Sequence, residues 1–187
     1  MNDTYLIWIA GALFVAGSAF SLWYLRREYR LLGKLSWFGS ILHVLMYAFH
    51  GMFLGVLACG PGASTLPAMG PGGVAGIIVM VVGTGITVYA MDLFHTFSRW
   101  VGNKTPGLQT TGLYRYSRNP QFVGYGLLVL GFVIAWWNDY IWIGLLAYAA
   151  LVYAVARVEE EHLLRVYGEP YRDYCRRVPR FLGSPKE

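Results

Sequence analysis

Residues 118–161 read RNPQFVGYGLLVLGFVIAWWNDYIWIGLLAYAALVYAVARVEEE, and Asp139 is the one charged residue between Arg118 and Arg157. Two apolar runs, about Pro120 to Trp137 and Tyr140 to Ala156, are parted only by Asn138-Asp139. Each run is somewhat short for the roughly 20 residues that cross a bilayer. So brief a polar break predicts a tight antiparallel helical hairpin. Asn119 suits a helix N-cap and Pro120 the first helical position. Folding the chain about a centre between Asn138 and Asp139 sets Pro120 opposite Arg157 and Arg118 opposite Glu159. Two polar strings, Gly112 to Pro120 and Arg157 to Glu161, then meet at one membrane surface.

Working outward, three more apolar runs precede the hairpin: Tyr5 to Leu25, Leu35 to Cys59, and Gly73 to about Met91. The first is long enough to span, and without a basic leader before it we expect a retained helix. Gly51 and Gly55 in the second have the spacing of a close helix contact. A Gly/Pro loop at residues 60–72 follows, and a polar connector runs from Asp92 to Asn119. Past Arg157 the helix is expected to leave the membrane, break at Gly168-Glu169-Pro170 and restart at Pro170. The fold class is therefore an all-α integral membrane protein of five transmembrane helices with a C-terminal helical segment. Residues 1–187 form one membrane domain, with helices 1–3 in residues 1–91 and the connector, hairpin and C-terminal helix in residues 92–187.

Composition supports this. Of 187 residues, 56% are hydrophobic and 13% charged, about half the charge of a soluble domain. All fifteen Lys and Arg fall after helix 1, after helix 3 or in the tail, in groups of four, four and seven. The positive-inside rule then gives an N-out, C-in protein with those segments cytoplasmic. The same rule accounts for the net charge of +5 without nucleic acid, and for Arg26, Arg27, Arg30 and Lys34 without a catalytic role. Cys59 and Cys175 fall on opposite faces and cannot pair, and no His/Cys cluster suggests a metal.

The meeting of the two strings suggests a ligand site. A helix N-terminus suits a carboxylate or phosphate, and a nearby Glu suits an ammonium. The alternative, equally open from spacing alone, is that Arg118 and Glu159 pair as interfacial charges and Asn119-Pro120 merely start a helix. Charges so near an apolar boundary are costly unless paired or functional.

Three blocks carry a resemblance: Leu108-Gln109-Thr110-Thr111-Gly112-Leu113-Tyr114, then Arg118-Asn119-Pro120-Gln121-Phe122-Val123-Gly124, then Glu159-Glu160 with Leu163, Tyr167-Gly168, Tyr171 and Tyr174. In this order, around the hairpin, they resemble the isoprenylcysteine carboxyl methyltransferase family, whose wider group includes membrane phospholipid methyltransferases. The likeness covers about residues 106–181. It implies S-adenosylmethionine (SAM) as cofactor, with Leu108, Gln109, Tyr114, Asn119, Pro120, Gln121, Phe122 and Glu159 in contact with it. Asn119 replaces the family's usual His and Phe122 its usual Tyr. Val155 stands where the prenylcysteine enzymes have an Arg, with Arg157 the nearest substitute, which points away from a prenylcysteine carboxylate.

The expected activity is methyl transfer from SAM to a lipid or other hydrophobic acceptor at the cytoplasmic face. Arg118 and Arg157 would orient the acceptor or the cofactor carboxylate, and Glu160 would act as orienting group or base. The acceptor classes are a lipid amine, a prenylated carboxylate or a hydrophobic thiol, and an amine or thiol must lose a proton. His95 and His162 are alternative bases. His43 and His50, seven apart on one face of helix 2, read as histidines hydrogen-bonded to a neighbouring helix in preference to a tunnel lining. The competing class is a non-enzymatic transporter or cofactor-associated subunit. The absence of repeat halves and of conspicuous mid-membrane charge argues against it.

Overall fold

The computed structural model of the chain describes residues 3–60, 66–67, 70–93 and 107–183. The described residues form six α-helices and no strand: α1 Asp3–Leu31, α2 Trp37–Ala58, α3 Pro71–Asp92, α4 Pro120–Ala135, α5 Ile141–Tyr167 and α6 Glu169–Arg177. A short 3-10 turn, Gly112–Arg115, precedes α4. Four helices, α1, α2, α3 and α5, are long and apolar enough to cross a membrane. The fifth apolar helix, α4, has 16 residues. At 1.5 Å per residue it spans about 24 Å, less than a hydrocarbon core of about 30 Å. The outward faces are apolar, with Trp8 72%, Val81 66% and Leu146 71% exposed. Lipid, not water, suits such faces.

Two helices outrun the apolar runs that predict them. Leaving the bilayer does not itself break a helix, so α1 continues through Arg26, Arg27 and Arg30 to Leu31, and α5 continues through Glu159 to Tyr167. Each ends at a glycine that adopts positive φ, Gly33 at 65° and Gly168 at 58°, a conformation only glycine takes without strain. The expected break and restart at Gly168-Glu169-Pro170 are both present. In the hairpin turn, Asn138 Oδ1 accepts from the N–H of Tyr140 at 2.9 Å and of Ile141 at 3.1 Å, capping α5. Cys59 and Cys175 are both free thiols.

The closest helix contact is not the hairpin but α3 against α4. Gly76 meets Gly131 and Gly83 meets Gly124, an antiparallel register in which backbone touches backbone. A Cβ on Gly131 would stand 2.5 Å from the Gly76 carbonyl oxygen, and one on Gly124 2.6 Å from the Thr87 nitrogen. Thr87 Oγ1 donates to the Gly83 carbonyl at 2.9 Å within the same crossing. At Gly51 and Gly55, in contrast, a Cβ would meet nothing within 4 Å among the described residues. Their spacing signals a contact that is made elsewhere. The remaining helices, α1, α2 and α5, pack around Phe14, Met46, Phe53, Leu57 and Val155. His50 ties three helices, its Nε2 donating to the Gly144 carbonyl at 2.9 Å and its Nδ1 accepting from the Tyr125 hydroxyl at 2.6 Å.

Replacing Gly131 by leucine forces α3 and α4 apart, at a cost of roughly 1–3 kcal/mol. The same change at Gly51 is expected to leave the melting temperature in detergent unchanged. Parallel thermal denaturation of the two variants checks this.

Candidate functional site

The chain enters the site through the 3-10 turn. Gly112, at φ 60°, opens it, and Tyr114 turns inward, 4% exposed. Its hydroxyl donates to Gln121 Oε1 at 3.1 Å, and its carbonyl accepts from the Tyr174 hydroxyl at 2.6 Å. Burial, and then the neighbouring Glu159 carboxylate, push the Tyr114 phenol up from its ordinary range, so it stays a proton donor. Asn119 sits at the N-cap position of α4, but its side chain makes no cap. Instead Asn119 Nδ2 donates to the Arg180 carbonyl at 3.0 Å, while the Arg118 amide donates to the Pro179 carbonyl at 2.9 Å. The capping expectation fails because the returning C-terminal strand of chain, absent from any local pattern, offers Asn119 an acceptor. Leu108 packs on the cluster of Tyr171, Tyr174 and Val178, Gln109 Nε2 donates to Thr111 Oγ1 at 3.0 Å, and Pro120 is buried.

Glu159, Glu160 and Glu161 leave α5 in three directions, about 100° apart. Glu161 faces α1, accepting from Arg26 Nε at 2.8 Å and Arg30 Nη2 at 2.8 Å, and pairs also with Arg165. Glu160 faces the tail: Arg180 grips it bidentately at 2.9 and 2.7 Å, and Arg118 Nη1 lies 2.9 Å from its Oε1. The registry about Asn138-Asp139 is thus one residue off for Arg118, which meets Glu160 and not Glu159. Glu160 hydrogen bonding raises the Arg180 pKa further above its ordinary value.

Glu159 faces inward and, among the described residues, pairs with no arginine. Its Oε1 lies 3.5 Å from His43 Nε2 of α2. The Tyr47 hydroxyl is 3.5 Å from the same nitrogen, and the Tyr47 ring packs near Phe122, with centroids 6.2 Å apart. Tyr29 of α1 lies within electrostatic reach of Glu159 and stacks on His162, with centroids 4.0 Å apart. Tyr114, Gln121, Phe122 and Glu159 are therefore gathered at one end of the bundle with His43, Tyr47 and Tyr29 as the opposing wall. The wall residues were not among those expected at the cofactor. The seven-residue spacing of His43 and His50 was the available signal, but only His50 has both ring nitrogens committed to other helices.

Arg157 is not brought to this cluster. It is exposed and rims a groove of about 880 Å³ between α5 and α6, with Arg172 and Arg176, over a floor of Val158 and Leu164. Arg180 is a further residue that the pattern hides, because in the sequence it is one more basic tail residue. His95 and most of the Gly/Pro loop lie outside the described residues. Among the described residues no cluster of His, Cys, Asp or Glu could hold a metal.

The sequence model of a family described as phospholipid methyltransferase matches residues 72–170, just over half of the chain. The chain belongs to the phospholipid methyltransferase family. No curated protein and no solved structure matches it. With four apolar helices of spanning length, this family member is a multi-pass membrane protein. The matched stretch runs from the start of α3 to Pro170 in the first turn of α6, so it takes in the glycine crossing as well as the connector and Glu159. The resemblance read from motifs alone begins only at about residue 106. α1 and α2, with Tyr29, His43 and Tyr47, lie outside the match.

In this phospholipid methyltransferase family member, Arg180→Ala removes both guanidinium hydrogen bonds to Glu160 and leaves the tail held to Asn119 only through the backbone carbonyl of residue 180. Arg180 is 27% exposed, so the expected loss is about 1–2 kcal/mol, together with faster proteolysis after α6. Arg176→Ala, which removes two exposed pairs within α6, with Glu169 and Asp173, should change stability by less than about 0.5 kcal/mol. Limited proteolysis and melting curves of both variants check the contrast.

Proposed function

We propose that the protein is a SAM-dependent methyltransferase acting on a membrane lipid, with five transmembrane helices, N-out and C-in, and its site at the cytoplasmic face. The observation that carries this reading is the state of Glu159. Glu160 and Glu161 are each matched by two or more arginines, whereas among the described residues no lysine or arginine pairs with Glu159. A largely buried carboxylate without a cation is costly, and it suits a cationic ligand. SAM carries an ammonium, so the donor set fits it. When bound, SAM supplies a methyl group on a positively charged sulfur.

The residues divide the remaining work. Glu159 takes the ammonium, Tyr114 and Gln121 supply a fixed donor and acceptor pair, and Phe122 with Tyr47 gives aromatic faces and excludes water. Leu108, Gln109 and Pro120 wall the cofactor side. Arg118, held in place by Glu160, orients the cofactor carboxylate at the start of α4. Glu160, already gripped by two guanidinium groups, is an orienting group. Asn119 acts through the tail it holds. Arg157 belongs to the basic groove that faces the acidic headgroup layer, where it seats the reaction end against the lipid surface. The transporter alternative gains nothing from this arrangement, because the polar constellation closes one end of the bundle and does not line a path through it.

Calorimetric titration of the detergent-purified protein with SAM and with its demethylated product tests the reading. Wild type is expected to bind both saturably. Glu159→Gln, which removes a charge-assisted contact of about 1.5–3 kcal/mol, should weaken binding roughly 10- to 100-fold. Asn119→Ala should weaken it by less. Absence of binding by folded wild type, in lipid as well as detergent, would falsify the methyltransferase reading.

A further inference from the structure

We propose that His43 takes the proton from an amine headgroup of the acceptor lipid, freeing its nitrogen for methylation. The inference rests on the methyltransferase reading and adds to it the residue that readies the acceptor. His43 lies on α2, outside the matched residues 72–170, so no family motif assigns it.

An ammonium nitrogen has no lone pair and cannot accept a methyl group, so a lipid amine needs a positioned proton acceptor. The carboxylates are already committed. Glu160 and Glu161 are saturated by arginines, and Glu159 is the counter-ion of the cationic cofactor. His50 uses both ring nitrogens on Tyr125 and Gly144. His162 lies flat on Tyr29, with an interplanar angle of 13°, and although its Nδ1 has no hydrogen-bond partner, among the described residues no carboxylate pairs with the ring to balance a gained charge. His43 is 6% exposed, and its Nε2 is 3.5 Å from both the Tyr47 hydroxyl and Glu159 Oε1.

The groups around His43 suit the charge it would gain. Glu159 faces it from α5 and Tyr47 from its own helix, with Tyr29 of α1 and Tyr114 of the 3-10 turn within reach of the same carboxylate. Among the described residues no arginine or lysine pairs with either His43 or Glu159. The proton passes from the ammonium nitrogen to His43 Nε2 as the methyl group is transferred, the N–H electron pair becomes the lone pair that forms the N–CH3 bond, and the imidazolium lies beside the Glu159 carboxylate that it shares with the cofactor ammonium. His43 stands six residues inside α2, about 9 Å from its start, a depth that suits a headgroup entering from the bilayer side of the cofactor.

The test uses full-length wild type and His43→Gln in phosphatidylcholine nanodiscs with and without phosphatidylethanolamine. Three quantities are measured: SAM affinity, methyl incorporation against pH, and the histidine ring NMR signals without SAM. The His43 signal is assigned by its loss in the variant. The expected variant binds SAM as wild type does, transfers methyl at least about 100-fold more slowly near neutral pH, and recovers as pH rises toward the amine's own ionisation. In wild type the His43 signal shifts when phosphatidylethanolamine is present and not with phosphatidylcholine alone, which reports the headgroup against the ring. An unchanged rate and pH profile in His43→Gln would overturn the proposal. So would joint loss of SAM binding and activity, an unmoved His43 signal, or activity confined to a carboxylate acceptor such as farnesylcysteine. Failure of wild type to bind SAM overturns the methyltransferase reading instead, and the NMR arm still reports on His43.

Discussion

The site end of the molecule depends on α5 remaining helical past the apolar segment, because that continuity sets the directions of three successive carboxylates. Rotation by about 100° per residue sends Glu161 to α1, Glu160 to the returning tail and Glu159 to α2. One regular helix thereby fastens an N-terminal helix, closes a C-terminal segment over the connector and leaves one carboxylate inside. The exposed pairs of Glu161 are individually weak and screened by salt. The Glu160 pairs are more sheltered, with Arg118 13% exposed, and they hold the two chain segments that carry the motif.

A second constraint comes from the crossing of α3 with α4. Within a bilayer there is no hydrophobic gain in bringing apolar helices together, so close approach of backbones has to supply the attraction through dispersion and weak polar contacts. Four glycines permit that approach. α4 is thus fixed more by α3 than by its hairpin partner, and the start of α4, where Pro120, Gln121 and Phe122 stand, inherits a rigid position. On the other side α2 and α5 present His43 and Glu159. The candidate site lies at the seam between these two packed pairs.

The order and approximate ends of the described helices were legible because apolar runs and Gly/Pro breaks are local signals. The break at Gly168 is an instance: a positive φ next to a proline needs no tertiary information. The basic end of the bundle was also legible, since the charges of Arg26, Arg118 and Glu159 have no place within apolar runs. What local pattern could not supply was choice of neighbour. Gly51 and Gly55 carry the spacing of a helix contact and make none among the described residues, while Gly76 and Gly83 pair across 40 or more residues with Gly131 and Gly124. The same limit moved Arg118 from Glu159 to Glu160 and hid Arg180. A basic residue in the tail is equally explained by orientation, and only its contact with Glu160 shows that it also clamps the motif.

α2 illustrates how a segment without a motif becomes part of the site. In the low dielectric of the bilayer an unmade hydrogen bond is expensive, and a satisfied network is correspondingly rigid. α2 makes three such links to the matched half: His50 to Tyr125 of α4, His50 to the Gly144 carbonyl of α5, and the Leu57 carbonyl to Asn138 of the hairpin turn at 3.2 Å. These bonds lie along its length on the side that carries His43. They fix its rotation as well as its depth, because a turn of α2 about its axis would break all of them together. Residues 72–170 taken alone would leave Glu159 facing an open side, with neither His43 nor Tyr47 against it. The family motif therefore specifies only half of the cluster around Glu159. The other half is specified by a helix whose register against the motif is held by a buried histidine.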